Sequence, residues 1–487
     1  MLATVSFSPF FEPGEPVVPH PVFQYCQSGK LPAKVKSMII LGIILLLTTL
    51  HTGCASSWPS ESRKSCHVIV ISVDGMMPGY YLEARKNGIR IPAIKSLMER
   101  GCFADAVEGV CPTVTYPSHT TMVTGVRPRR HGIVSNNVFD PYNKTYNAWY
   151  WYAEDIKVKT LWAAAREKQL VTGNSYWPVT VGAEIDYNFP EFWRAKVEDD
   201  IKLLRAISTR GLVQSVEDVY GKFEPAAPTD ENKTQVARFL IERYRPHLLL
   251  VHLTNLDHVE HVTGPFSPDS FHALEEIDTL IDKIVLSTRT VGIYDQTTFF
   301  VVSDHGFART ERQVRPGILM KNAGLIETDS KGKVTDWKAS FMVAGGIFMI
   351  RLKTPDDGQT RAQVQRLFEK MPGLSGSGIG SVFQQKQILD LGADPEAVCL
   401  LEAAPDFSFG NALEGEYLVK SPSLGTHGYL PSKPDQKASF IAAGQFIKKG
   451  ANLKEIKMVD IAPTISRILN LDLPDVEGRV LTEVLLP

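Results

Sequence analysis

The chain has 487 residues, a formal net charge of -2 at pH 7 and 44% apolar residues. That length exceeds a typical single domain and admits either one large α/β domain with insertions or two domains. The near-neutral balance excludes bulk attraction to nucleic acid or to an anionic membrane, so no polymeric nucleic acid is expected as a partner and any anion must be held at a local site. Cys26, Cys54, Cys66, Cys102, Cys111 and Cys399 show no Cys-x-x-Cys spacing, which excludes a disulfide-dense scaffold and a cysteine zinc site.

Residues 1–54 read as a targeting segment. Lys30, Lys34 and Lys36 precede an apolar run from Met38 to Leu50, which ends in His51-Thr-Gly-Cys54. A basic flank, a short apolar core and small residues before a cleavage point describe a secretory signal. The run is short of the roughly 20 residues a membrane span needs. Cys54 after Thr-Gly resembles the lipidated residue of a bacterial lipoprotein, although His51 stands where that pattern usually has Leu. The expectation is an exported protein, periplasmic or held at the bacterial cell envelope by an N-terminal lipid. The alternative is an uncleaved anchor, because Ser37 to Ser60 contains no Lys, Arg, Asp or Glu. Residues 55–66 serve as a linker.

From residue 67 the texture changes. His67–Val73, Leu248–Thr254 and Thr297–Ser303 are nearly continuous apolar and β-branched runs, the mark of parallel strands buried on both faces. Between them lie helical patterns at Pro92–Arg100, Lys159–Lys168, Thr234–Arg243 and Asp269–Thr288, with a closing helix over Met458–Asn470. The alternation predicts an α/β fold: a doubly wound, mostly parallel sheet with helices on both faces. Residues 186–232 and 308–425 break the rhythm and read as inserted caps within a catalytic domain spanning 67–487. A strand at Gly346–Leu352 and a helix at Gln359–Lys370 are expected in the second.

In such sheets ligands bind at the carboxyl ends of the strands. The three runs finish at Asp74, Asp257 and Asp304. One Asp there is ordinary turn chemistry; three, two of them close to histidines, are not. Asp257 and His261 are four positions apart, one turn if the strand runs into a helix. His305 follows Asp304, with Gly306 permitting the chain to turn. His427 lies late, in Gly425-Thr-His427-Gly428. Three carboxylates and three imidazoles are the donor set of a two-zinc site, with Mn2+ or Co2+ as alternatives. Thr115 lies just before a helix expected to begin near Pro117, where unpaired N–H groups favour a phosphoryl group. It reads either as a metal-activated nucleophile or only as a helix cap. Asn136 is a candidate donor to a nonbridging oxygen.

The segments VDGMMPGY, PTVTYPSHTTMVTGVRPRRHGIVSN, Asp257 to Pro265, SDHGF, GTHGY and VDIAPTISRILNL together resemble the nucleotide pyrophosphatase/phosphodiesterase family of the alkaline phosphatase superfamily, from His67 to the C-terminus. The resemblance implies one zinc held by Asp257, His261 and His427, and another held by Asp74, Asp304, His305 and the nucleophile Thr115. It implies phosphate contacts from Asn136 and the Thr115 N–H, and stacking of Tyr116 on the substrate, with Tyr187 as a facing aromatic. Glu260 replaces the family's usual Gly before the histidine, which makes His258 a rival to His261. Ser118 replaces a common Asn. His119 and His131 are expected to be structural. The implied activity is hydrolysis of phosphate diesters, pyrophosphates or small nucleotides through a phosphothreonine. The alternatives are a phosphomonoesterase on the same metals and a catalytically silent surface lipoprotein. Monoesterases of the superfamily add a Lys-x-Arg pair, and the corresponding stretch, Gly173 to Thr180, has no basic residue.

Overall fold

A computed structural model describes residues 66–145, 148–192, 200–222 and 228–487. The leader, Cys54 and the anchor alternative lie outside these residues. Among the described residues no helix is long and apolar enough to cross a membrane.

The strands of the main sheet are β1 (His67–Val73), β2 (Gly101–Glu108), β3 (Thr172–Ser175), β4 (Tyr187–Phe189), β5 (Leu248–Leu253), β6 (Thr297–Val302), β7 (Phe440–Gly444) and β8 (Ala451–Lys457). They form one eight-stranded sheet in the order β8-β2-β7-β6-β1-β5-β3-β4. All run parallel except β7, which is antiparallel to both β6 and β2. The helices that matter here are α1 (Pro92–Arg100), α2 (Thr115–Thr124), α3 (Leu161–Glu167), α4 (Asp230–Tyr244), α5 (Asn255–Thr263), α6 (Pro268–Thr290) and α7 (Ile461–Leu469).

Every residue of β1, β5 and β6 is buried, as double coverage of a parallel sheet requires. Alternate side chains go to opposite layers. Ile69, Ile71, Leu249, Val251 and Val301 pack against Ile94 of α1, Leu240 of α4 and Ile281 of α6. Val68, Val70, Leu250 and Phe300 pack against Met122 of α2, Trp162 of α3 and Ile465 of α7. Each such residue contributes about 1.5–3 kcal/mol when fully buried. Local signals set the helix starts: Thr229 and Asn232 form a capping box on α4, and Ser267 caps α6 ahead of Pro268.

The two rhythm-breaking stretches differ from each other. Tyr187–Phe189, expected in a cap, is instead the edge strand of the main sheet, paired with β3. Short helices at Leu212–Tyr220 and around 200–207 follow it. The second stretch builds a four-stranded antiparallel sheet from Ala339–Ala344, Ile347–Leu352, Ala397–Ala403 and Ile379–Gln384, in that spatial order. Its apolar face packs on the chain just ahead of α2, with Ile347, Met349 and Leu400 against Cys111 and Val114. The stretch leaves the main sheet through Ala308–Val314, and Gly425–Thr426 returns antiparallel on Arg309 and Ala308.

Candidate active site

The carboxyl ends of β1, β5 and β6 open beside the start of α2. A cavity of about 840 Å³ lies here, lined among others by Asp74, Thr115, Tyr116, Trp149, His252 and Asp257. The strand-to-helix transition at Leu253–Asn255 puts Asp257 and His261 on one face of α5, with His261 Nε2 3.6 Å from Asp257 Oδ1. The return strand brings His427 to the same carboxylate, at 3.5 Å. Its ring stacks on that of His305 at 3.7 Å, although 122 positions separate them in the chain. Gly428 lets the chain pass: its φ is +87°, and a Cβ there would lie 2.0 Å from Ala344 O. Gly306 is needed for close approach rather than for a turn, since a Cβ would meet Asp435 O at 2.2 Å.

Each of these three imidazoles has its Nδ1 against a backbone carbonyl. His261 faces Gly425 O at 3.0 Å, His427 faces Thr113 O at 3.1 Å, and His305 faces Gly306 O at 3.1 Å. A carbonyl only accepts, so Nδ1 carries the proton and Nε2 presents a lone pair inward. His305 Nε2 lies 3.2 Å from both Asp74 Oδ1 and Asp304 Oδ2. Asp304 Oδ1 accepts from the backbone N–H groups of Gly75 and His305, which aims Oδ2 into the cluster.

The atoms that converge are those left over. Asp74 Oδ1, Asp257 Oδ1, Asp304 Oδ2 and His305 Nε2 are buried with no hydrogen-bond partner, and buried polar atoms without partners are costly. Burial, then the neighbouring carboxylates, push Asp74 and Asp304 well above the usual carboxylate range. Burial holds His305 well below the usual imidazole value and His427 down to about 4. Acidic oxygens in excess, with neutral imidazole lone pairs among them, are the donor chemistry of a divalent cation site. Two groups of three meet that description: Asp257, His261 and His427, and Asp74, Asp257 and His305. Asp257 reaches both groups, and Asp304 stands against the second through His305. His258, the rival of His261, is exposed at the cavity rim.

Thr115 is the first residue of α2, not its cap. Val114 holds the cap position, and no side chain caps this helix. Asn136 Oδ1 accepts the Tyr116 N–H at 2.9 Å, so the Asn136 amide nitrogen remains as a donor. Tyr116 is buried and meets Trp149 edge-on at 5.1 Å. Tyr187, expected to face the substrate, does not line the cavity; it stacks on Tyr244 at 3.6 Å because its strand ends the sheet on that side.

Three further features were not expected from the sequence. Trp149 joins the cavity wall through an isolated bridge to Asn137. His252 and Glu191 also line it; the visible sign of His252 was one imidazole inside the apolar run of β5. His119 contacts Thr115 O through Nδ1 at 2.8 Å, and His131 contacts Thr121 and Ile133, so both brace the ends of α2. Glu260, in place of the family's Gly, is buried beneath the cluster and accepts the Tyr80 hydroxyl at 2.5 Å. Ser118 is buried within α2.

The family model for Type I phosphodiesterase / nucleotide pyrophosphatase matches residues 68–429. The chain belongs to this family. As a member it is a hydrolase of phosphodiester or pyrophosphate bonds. An uncharacterized pyrophosphatase/phosphodiesterase of Schizosaccharomyces pombe is 25% identical over 431 residues, covering 83% of this chain and 77% of that protein. Human ectonucleotide pyrophosphatase/phosphodiesterase family member 5 is 21% identical over 449 residues, covering 88% and 79%. Human family member 1 is 24% identical over 252 residues, which is 49% of this chain but only 23% of that protein. Among solved structures, an inactive form of murine family member 5 in complex with AMP superposes with a TM-score of 0.62 at 18% identity, covering 86% of this chain and 100% of that one. That likeness shows the alkaline phosphatase-like fold.

Proposed function

We propose that the chain is a two-zinc phosphodiesterase that works through a covalent phosphothreonine on Thr115, acting on a small phosphodiester or nucleotide. The observation that carries the proposal is the convergence of partnerless buried oxygens and inward-facing imidazole lone pairs beside Thr115 at the start of α2. Asp257, His261 and His427 would hold one ion; Asp74, Asp304, His305 and Thr115 would hold the other. Bound zinc would supply Lewis acidity, lowering the pKa of the threonine hydroxyl and offsetting charge on the departing oxygen.

The chain's own groups do the rest. Thr115 Oγ1 attacks phosphorus as the bond to the leaving oxygen breaks, and water then cleaves the phosphothreonine to release the second product. The Asn136 amide, its oxygen pinned by the Tyr116 N–H, donates to a nonbridging oxygen as charge develops. Tyr116 and Trp149 offer aromatic surface to the substituent on phosphorus. A diester carries less charge than a monoester, and Gly173 to Thr180 supplies no cation to meet the extra charge. There Asn174 is instead tied to Thr180 and Asn188. AMP in the murine relative supports a nucleotide among the substrates. The leader-like segment supports export to the cell envelope, with Cys54 as the anchor.

The test is zinc-loaded protein assayed on bis-p-nitrophenyl phosphate and on p-nitrophenyl phosphate under one condition. A kcat/KM ratio above about tenfold for the diester, roughly 1.4 kcal/mol in the barrier, is expected. A ratio favouring the monoester overturns the diesterase reading.

A further inference from the structure

His252 lies on β5 with a carboxylate on each ring nitrogen. Its Nε2 is 3.1 Å from Asp74 Oδ2 and its Nδ1 is 2.6 Å from Glu191 Oε2. All three side chains are almost fully buried, at 4%, 1% and 2% exposure for Asp74, His252 and Glu191. The register explains the meeting. Ser72 of β1 pairs with His252, and side chains two apart on a strand share a face. Asp74, two beyond Ser72, therefore reaches back over the sheet to the imidazole. Glu191 arrives from the other side, just after β4 and two strands away.

We infer that Glu191 and His252 form a positioning array that fixes one oxygen of Asp74 and leaves the other for the metal. This rests on the two-ion reading above. The carboxylate is divided: Oδ2 is engaged by His252, while Oδ1 has no hydrogen-bond partner and faces His305 Nε2 at 3.2 Å. A ligand carboxylate held in this way presents one oxygen in one direction, and the group behind it sets metal affinity almost as the ligand does. Glu191 supports the imidazole from behind. The ligand histidines are oriented differently, each by a main-chain carbonyl. Asp74 is thus a ligand whose orientation depends on two further side chains, and both line the substrate cavity. The array engages the ion group of Asp74 through that residue's Oδ2, so its removal acts on that ion first.

The test is a zinc titration of full-length, chelator-stripped protein against a chromophoric chelator, comparing wild type with His252→Ala, His252→Gln and Glu191→Gln. Wild type is expected to take up two equivalents. His252→Ala should weaken one of them about 10–100-fold and leave the other at its wild-type affinity, which also reports that the fold is intact. His252→Gln should recover most of the loss, because its amide can still donate to Asp74 Oδ2. Glu191→Gln should show a smaller loss at the same equivalent, and it carries the test if His252→Ala fails to fold. Two wild-type equivalents in both His252→Ala and Glu191→Gln overturn the array while leaving the two-ion reading intact. Equal weakening at both equivalents overturns it too. No zinc uptake by wild type brings down the two-ion reading, and the array with it.

Discussion

The two donor groups share Asp257 but sit at different depths and are assembled differently. In the deep group Asp74, Asp304 and His305 are at most 4% exposed, and all three stand at the ends of adjacent central strands. In the shallow group the side chains of Asp257 and His261 are 19% and 34% exposed, and His427 arrives on a loop returning from the insertion. The deep group holds most of the unpaired donors: three of the four partnerless atoms named above are its own. The shallow group is partly open to solvent at Asp257 and His261, and Asp257 lines the cavity. On the proposed two-ion reading, Asp74, Asp304 and His305 would hold the ion that activates Thr115, and Asp257, His261 and His427 would hold the one that offsets charge on the departing oxygen.

The largest expected effect breaks the chemistry and leaves both groups standing. Thr115→Ala should lower kcat by at least about 1,000-fold, some 4 kcal/mol of barrier, while zinc content stays at two equivalents. Retained activity would remove the covalent step. The next prediction tests depth itself. Asp304→Asn, which puts an amide where a fully buried carboxylate stood, should abolish zinc uptake by the deep group. His261→Ala, at a part-exposed position where water can fill the vacated place, should weaken the shallow equivalent by about 10–100-fold. Metal analysis after dialysis checks both, and equal losses from the two variants would erase the distinction.

The deep group was far more legible in the sequence than its surroundings. A buried parallel strand announces itself as an unbroken apolar run, so the Asp that ends it stands out; His67–Val73 and Thr297–Ser303 located Asp74 and Asp304 within a residue or two of the observed strand ends. Asp257 and His261 were visible as one helical turn. His427 was harder to assign, because its position depends on a short antiparallel pair, Gly425 with Arg309, formed across 116 positions of chain, and no periodicity encodes that pairing. Trp149 and Glu191 had no local signal at all, since each comes from irregular chain placed by tertiary contacts. Tyr187 lies outside the cavity for a related reason: the composition of 186–232 resembles a cap, yet three of its residues extend the sheet, and the ring stacks on Tyr244.

The smallest expected effect sharpens the comparison through pH. A ligand must lose its proton to bind metal. In the deep group burial and mutual repulsion raise Asp74 and Asp304 well above the ordinary carboxylate value of 3.8, so in the metal-free protein they hold protons at pH values where an ordinary Asp has none. Zinc must displace those protons, and its affinity for the deep group should go on rising with pH above the ordinary carboxylate range, by at most about tenfold per unit for each proton released. His427 has the opposite shift. Held down to about 4, it is already neutral at pH 5 and adds no pH dependence above that. Calorimetric zinc titrations at pH 5.5 and 7.5, in buffers of different ionisation enthalpy, should therefore show proton release accompanying zinc uptake by the deep group. Zinc uptake by the deep group with no proton release would mean that Asp74 and Asp304 are already ionised in the metal-free protein, and burial would not set the pH dependence of this group.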